Sequence, residues 1–307
     1  MSQKTSDPSA PSHLAFPYAP DWPMMQAKDG EAWRWRDWAG LWLLLGVAGL
    51  SLLADLLLVP LTNVFNQRHW GAVWVYACAG VIVAQGGILT VLLAWGPGPF
   101  LMRLALHWCL AFGAFTVWLI GLGIAEGPRD LSDATWIVGP ALPLISLAAQ
   151  APLWIARQWC GWRLVNRETP SRPLLIRDLM VAMLLAGVSL SAARCVDGGR
   201  SIDQEFWLAW GIAIAISAGI STFALLPAGF CLLGVNQFTL GAVLTWSFAV
   251  LAVVALWAAS LFFGPRLRLS AWDLTGTSIV ILSFAAMLVL AALTARTWGY
   301  TLIYVRR

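Results

Sequence analysis

From Trp38 onward the chain alternates long apolar runs with short polar breaks. About 20 apolar residues are needed for a helix to cross ~30 Å of hydrocarbon. Runs of that length predict spans at 38–60, 72–95, 100–124, 135–155, 174–193, 206–230, 240–263 and 274–295. Inside a bilayer each backbone N–H and C=O must be satisfied within the segment, so these spans are expected to be helices. Asn63 to His69, Gly96-Pro97-Gly98-Pro99, Glu126 to Asp133 and Gly264-Pro265 supply the breaks. The fold class expected is all-α, an integral membrane bundle of about eight transmembrane helices. Its fourth span is the weakest, because Pro140, Pro143 and Pro152 should kink it and Gln150 interrupts its apolar character.

The same landmarks occur twice along the chain. Arg36-Asp37 opens the first span and leads to Leu43-Leu44 and Gly46-Val47. Arg177-Asp178 opens the fifth and leads, at the same spacing, to Leu184-Leu185 and Gly187-Val188. Further on, Ala156-Arg157-Gln158-Trp159 corresponds to Ala295-Arg296-Thr297-Trp298, and Trp108 corresponds to Trp246. A nearly constant offset over ordered landmarks predicts a duplication into two four-helix repeats. The organisation expected is a Pro-rich disordered tail (1–32), a first membrane unit (33–167), a linker (168–173) and a second unit (174–307). Units with an even number of spans insert in the same orientation, so the repeats are expected to be parallel.

Charge agrees with that count. Thirteen Lys and Arg fall on the side of the N-terminus and six on the other. The positive-inside rule then places both termini in the cytoplasm. Only 11% of the 307 residues are charged and mean hydropathy is +0.75, too little charge to clothe a water-facing globule. The small basic excess is too scattered for nucleic acid. Tryptophan is unusually frequent, at 20 residues. Most, Trp95 among them, fall near span ends and predict an aromatic belt at the headgroup level. Trp108, Trp118, Trp246 and Trp257 lie deeper and are expected to pack. The five cysteines form no C-x-x-C pair and read as free thiols. The tail lacks a signal peptide's apolar core and is expected to be retained.

Candidate chemistry is sparse. Asp55 interrupts Leu52-Leu53-Ala54, and an intramembrane acid is a functional candidate by default. It lies 19 residues after Arg36, about 28 Å along a helix, so it is expected near the outer interface. Arg103 and His107 share one face of the third span near its cytoplasmic end and should not meet it. His107, Gln85 and Gln150 complete the weak candidates. Arg36, Asp37, Arg177 and Asp178 suit helix starts, where Asp complements the macrodipole and Arg reaches anionic headgroups. Asp130-Leu131-Ser132-Asp133 reads as a helix cap. In the sixth span Ala209, Ala213 and Ser217 recur at four, with Gly211, Ala215 and Gly219 beside them. Such rows let backbones approach, so this helix is expected to pack centrally. No zinc-protease, Walker A or dinucleotide-binding motif is present, and no cofactor or metal is expected.

The segment Pro173-Leu174-Leu175-Ile176-Arg177-Asp178-Leu179-Met180, running into a span, resembles a recurrent helix opening in uncharacterised multi-pass membrane proteins of planctomycete bacteria. About 20 residues carry the likeness. The first unit departs from it, with Trp35-Arg36-Asp37-Trp38. The resemblance implies a bacterial inner-membrane protein and lends no active site. The function expected is a non-enzymatic scaffold or interaction component. Its partners would be the lipid bilayer and a protein at the cytoplasmic tail. The alternative is a small-solute transporter, and a membrane enzyme stands third.

Overall fold

The computed structural model describes residues 32–65, 69–96, 99–126, 128–165, 204–235, 237–267 and 270–304, with isolated positions from 180 to 191. The expected tail and linker, most of the fifth span, and Arg177 and Asp178 lie outside the described residues. Among the described residues the fold is all-α apart from one two-stranded ribbon. In order these are α1 (Ala32–Phe65), α2 (His69–Trp95), α3 (Phe100–Glu126), α4 (Pro128–Trp159), β1 (Trp162–Val165), α5 (Gln204–Ile220 and its continuation), α6 (Phe238–Leu267), α7 (Ala271–Thr297) and β2 (Thr301–Tyr304).

Among the described residues six helices contain stretches long and apolar enough to cross a membrane: Trp42–Thr62, Val73–Trp95, Phe100–Ala125, Trp210–Gly234, Phe238–Leu261 and Ala271–Thr297. The chain is therefore built as a multi-pass membrane protein. Helix α1 begins before its span, so Arg36 and Asp37 lie inside the helix rather than at its cap. Helix α4 is not among the six. It nevertheless runs unbroken for 32 residues through Pro140, Pro143 and Pro152.

Helix α5 continues past Ile220 in an altered register: a π-helical turn (Ser221–Leu225), one α turn (Leu226–Gly229) and a second π turn (Phe230–Gly234). Pro227 supplies the cause, since proline donates no N–H and crowds the carbonyl four residues back. Just before it, Leu226 N–H donates to Ser221 O, five residues back, so the register has already widened. At the start of α7, Ser270 and Asp273 form a reciprocal capping box, each side chain accepting from the other's backbone N–H.

Close helix contacts fall where glycine removes a side chain. A Cβ on Gly80 would lie 1.9 Å from Ser283 Oγ, and one on Gly276 2.3 Å from the Tyr76 ring, which locks α2 to α7. Gly121 likewise seats α3 against the Leu56 carbonyl of α1. The small-residue row of α5 behaves differently. Among the described residues Gly211 and Gly219 meet nothing within 4 Å, Gly211 and Ala215 are exposed, and Ala213 and Ser217 are half-buried. The Ser217 hydroxyl donates to Ala213 O of its own helix. The close approach expected of this row is absent at its glycines, because spacing marks which side chains share a face but not where the neighbouring helix stands. The side chain of Ala209 lies outside the described residues.

The main core gathers Trp95, Leu153, Leu225, Leu232, Leu288 and Leu302. Trp95 corrects the belt expectation: it is 0% exposed, and its indole N–H donates to Leu153 O at 3.0 Å. A satisfied N–H lets the whole ring enter the core. Gly229 makes room for it, and Trp162 meets it edge-on. Trp210 is buried too, while Trp42, Trp74, Trp159, Trp272 and Trp298 are exposed. Trp246 and Trp257, expected to pack, are exposed as well, because depth along a helix does not say which face a neighbour covers.

The ends of α4 and α7 are built alike. Each helix passes through a glycine of positive φ, Gly161 (67°) and Gly299 (78°), into a short strand. The strands pair antiparallel, with Trp162 opposite Tyr304 and Leu164 opposite Leu302. One turn before each glycine an arginine reaches a backbone carbonyl on a distant helix end. Arg157 Nη1 donates to Ala94 O at 2.5 Å, and Arg296 Nη2 donates to Val235 O.

Candidate functional site

The four sequence candidates fall into two pairs. Asp55 of α1 is hydrogen-bonded to the Gln85 side chain of α2. Asp55 is 3% exposed, buried where α1 packs against α2 and α3. Helix packing decided this: α1 lies against α2 and α3, and a residue's height along one helix does not say which face a second helix covers. One Asp55 oxygen and the Gln85 oxygen are buried without a hydrogen-bond partner among the described residues.

His107 and Gln150 are brought together by a residue that sequence reasoning passed over, Ser146. His107 Nε2 lies 2.8 Å from Ser146 Oγ, and Gln150 Nε2 donates to the same oxygen at 2.8 Å. His107 Nδ1 lies 3.2 Å from the Leu89 carbonyl of α2. A carbonyl only accepts, so Nδ1 carries the proton. The neutral imidazole then offers the Nε2 lone pair to the Ser146 hydroxyl proton, and Ser146 in turn accepts from Gln150. Every member of the chain has a consistent role. His107 is 5% and Gln150 1% exposed, whereas Ser146 is only half-buried. Gln150 Oε1 is buried with no hydrogen-bond partner among the described residues. One sequence signal was available for Ser146: it stands four residues before Gln150 and so on the same helical face.

The walls of this site are aromatic and apolar. Leu93, Phe100 and Leu104 form a buried cluster against which Trp108 and Trp154 pack. The His107 ring meets Trp108 edge-on at 5.4 Å. Two buried arginines stand at its edge, beside the end of α2. Arg103 Nη1 donates to Leu93 O at 2.6 Å, and Arg157 donates to Ala94 O. Both cap the last turn of α2, where carbonyls lack helical partners and a cation suits the dipole. Among the described residues no three His, Cys, Asp or Glu side chains group as a metal site would need.

A separate cavity of about 210 Å³ lies between α1, α2, the end of α5, α7 and the ribbon, lined almost wholly by Leu, Val, Ile and Ala. Thr294, Trp298 and Tyr300 stand among its few polar side chains. Compared with known protein families, curated proteins and solved structures, the chain matches none.

Proposed function

We propose that the chain is an eight-span bacterial inner-membrane protein, built of two parallel four-helix units with both termini in the cytoplasm, that acts as a scaffold or interaction component. The observation that carries the scaffold reading is the apolar lining of the cavity between α1, α2, α5 and α7. A solute path needs polar groups to replace hydration, and the arginines beside α2 instead spend hydrogen bonds on helix-end carbonyls. The pairing of β1 with β2 supports the two-unit plan. Residues 164 and 302 correspond in the repeat register and stand directly opposite each other, which is how a two-fold axis would relate two like units. Equivalent packing supports it too: α7 lies on α2 as α4 lies on α5.

Reporter fusions after Asn166 and after Arg307 test the topology. Both are expected to read cytoplasmic, and opposite locations would sink the four-plus-four plan. A photo-crosslinking residue at Trp22, within the Pro-rich tail, tests the interaction role in native membranes. It is expected to trap one discrete protein, while purified chain in liposomes leaves ion and sugar gradients intact. Gradient collapse would replace the scaffold by the second reading, a small-solute permease, which draws on the polar chain of His107, Ser146 and Gln150 inside the helices.

A further inference from the structure

We infer that Ser146 is a nucleophile activated by His107, and that the first unit carries an acyl-ester hydrolase site for a membrane-dissolved lipid. This goes beyond the scaffold reading, and its internal control rests on the two-unit reading proposed above.

Nucleophilic catalysis by serine needs a base in hydrogen-bond reach, a group that orients the base, and donors for the oxyanion. All three types of group converge here. His107 Nε2 is the base, 2.8 Å from Ser146 Oγ. The Leu89 carbonyl holds the opposite ring nitrogen and fixes the tautomer that leaves Nε2 free to accept. Gln150 Nε2, 2.8 Å from the same hydroxyl oxygen, sets an amide donor beside the carbon that Ser146 would attack. Gln150 Oε1, buried and unpartnered, is an acceptor suited to orient a water.

The second half of the chain serves as an internal control. In the repeat register that matches Trp108 to Trp246 and Arg157 to Arg296, His107 corresponds to Thr245, Ser146 to Ala285 and Gln150 to Val289. Thr245 satisfies itself on Gly241 O of its own helix. The same helix positions are thus filled without any polar chain, so the architecture does not require one. A polar group that the fold can do without is better explained by what it does.

Depth selects the substrate. Leu89 lies six residues before the end of α2, about 9 Å at 1.5 Å per residue. The headgroup layer is roughly 5–7 Å on each side of a ~30 Å hydrocarbon core. The site lies about two turns inside the end of a membrane-spanning helix, where a lipid ester could descend to it from the headgroup edge, and its aromatic walls suit an acyl chain. In the first half-reaction the Ser146 Oγ–carbon bond forms as the hydroxyl proton passes to His107 Nε2. The carbon–oxygen bond to the lipid alcohol breaks, and the alcohol leaves with that proton. Water then attacks the acyl carbon, gives its proton to His107, and Ser146 leaves taking it back. The products are a fatty acid and a lipid alcohol. A carbonyl steadies the imidazolium less than a carboxylate would, so turnover is expected to be slow and covalent capture is the primary readout.

The test uses the full chain in native membranes with a long-chain alkyl fluorophosphonate, followed by peptide mass spectrometry. Wild type and Ser217→Ala are expected to be labelled at Ser146. Ser146→Ala is expected to show no label. His107→Gln is expected to label roughly 10²–10⁴-fold more slowly, the usual span for loss of a general base. Elution and thermal melting in detergent establish that each variant is folded. Absence of label on wild type overturns the proposal. So does equal labelling of wild type and His107→Gln, which needs no folded Ser146→Ala and reveals a merely accessible hydroxyl. Neither result touches the fusion-protein topology, so the two-unit reading fails separately.

Discussion

Leu164 and Leu302 face each other across the β1–β2 ribbon, each the third residue after a positive-φ glycine that ends a long helix. The ribbon ties the end of the first half of the chain to the end of the second. Both leucines are buried in the core that also holds Trp95. Directly opposite residues of an antiparallel pair have Cα atoms about 4.5–5.5 Å apart, within the range a disulfide spans. With the natural cysteines replaced by alanine, Leu164→Cys with Leu302→Cys is expected to close a disulfide under mild oxidation. Leu164→Cys with Thr301→Cys, whose side chains point to opposite faces, is expected to stay reduced. Mass spectrometry separates the two, and the reverse result would mean a shifted register.

Glycine substitutions should sort by neighbour rather than by motif. Gly80→Leu and Gly276→Leu force atoms into Ser283 and Tyr76, and are expected to lower stability by about 1–3 kcal/mol each. Gly219→Leu, with open space around it, is expected to stay within about 0.5 kcal/mol of wild type. Thermal melts in one detergent check the ranking. A severe loss at Gly219 would show that another helix covers that face.

The two helix-end arginines make a matched pair of tests. Arg157→Leu strips a charge-assisted donor from Ala94 O, and Arg296→Leu strips one from Val235 O. Hydrogen bonds of this type contribute about 1.5–3 kcal/mol. Both variants are expected to melt earlier, by comparable amounts. Arg296 also stacks over the Phe238 ring at 5.6 Å, so Arg296→Lys should recover only part of the loss. Full recovery by lysine would remove the stacking contribution.

The polar chain of the first unit should tolerate removal as a set better than removal of one member. His107→Leu removes the acceptor of the Ser146 hydroxyl proton while Gln150 still holds that oxygen in place, a loss of about 1–3 kcal/mol that the triple variant avoids. The triple variant His107→Thr, Ser146→Ala, Gln150→Val copies the second unit and strands no side chain. It is expected to melt closer to wild type than His107→Leu does. If the triple variant is the less stable, the polar chain is a structural requirement of α3 and α4 after all.

Much of this protein is legible in its sequence because a bilayer imposes a length and a polarity on anything that crosses it. Six of the expected spans emerge as long apolar helices, and the break at Gly96 lies where Gly96-Pro97-Gly98-Pro99 puts it. By contrast α4 already begins at Pro128, so Asp130 to Asp133 lie inside it rather than at its cap, and α6 runs on through Gly264-Pro265. The likeness of Arg157 to Arg296 was also plain as text. What those matched residues do was decided only in three dimensions. Periodicity does not say that Trp95 is wholly buried while Trp42 is not, because both stand near the end of an apolar run. Nor does it say that Gly80 touches a neighbour and Gly219 does not, since close approach belongs to a pair of helices. The candidate site follows the same division. Asp55, Gln85, His107 and Gln150 stood out as polar residues in apolar surroundings, the one anomaly a single chain can display. Ser146 did not, because a serine among prolines is unremarked until folding sets α4 against α3 and places its hydroxyl 2.8 Å from an imidazole 39 residues away.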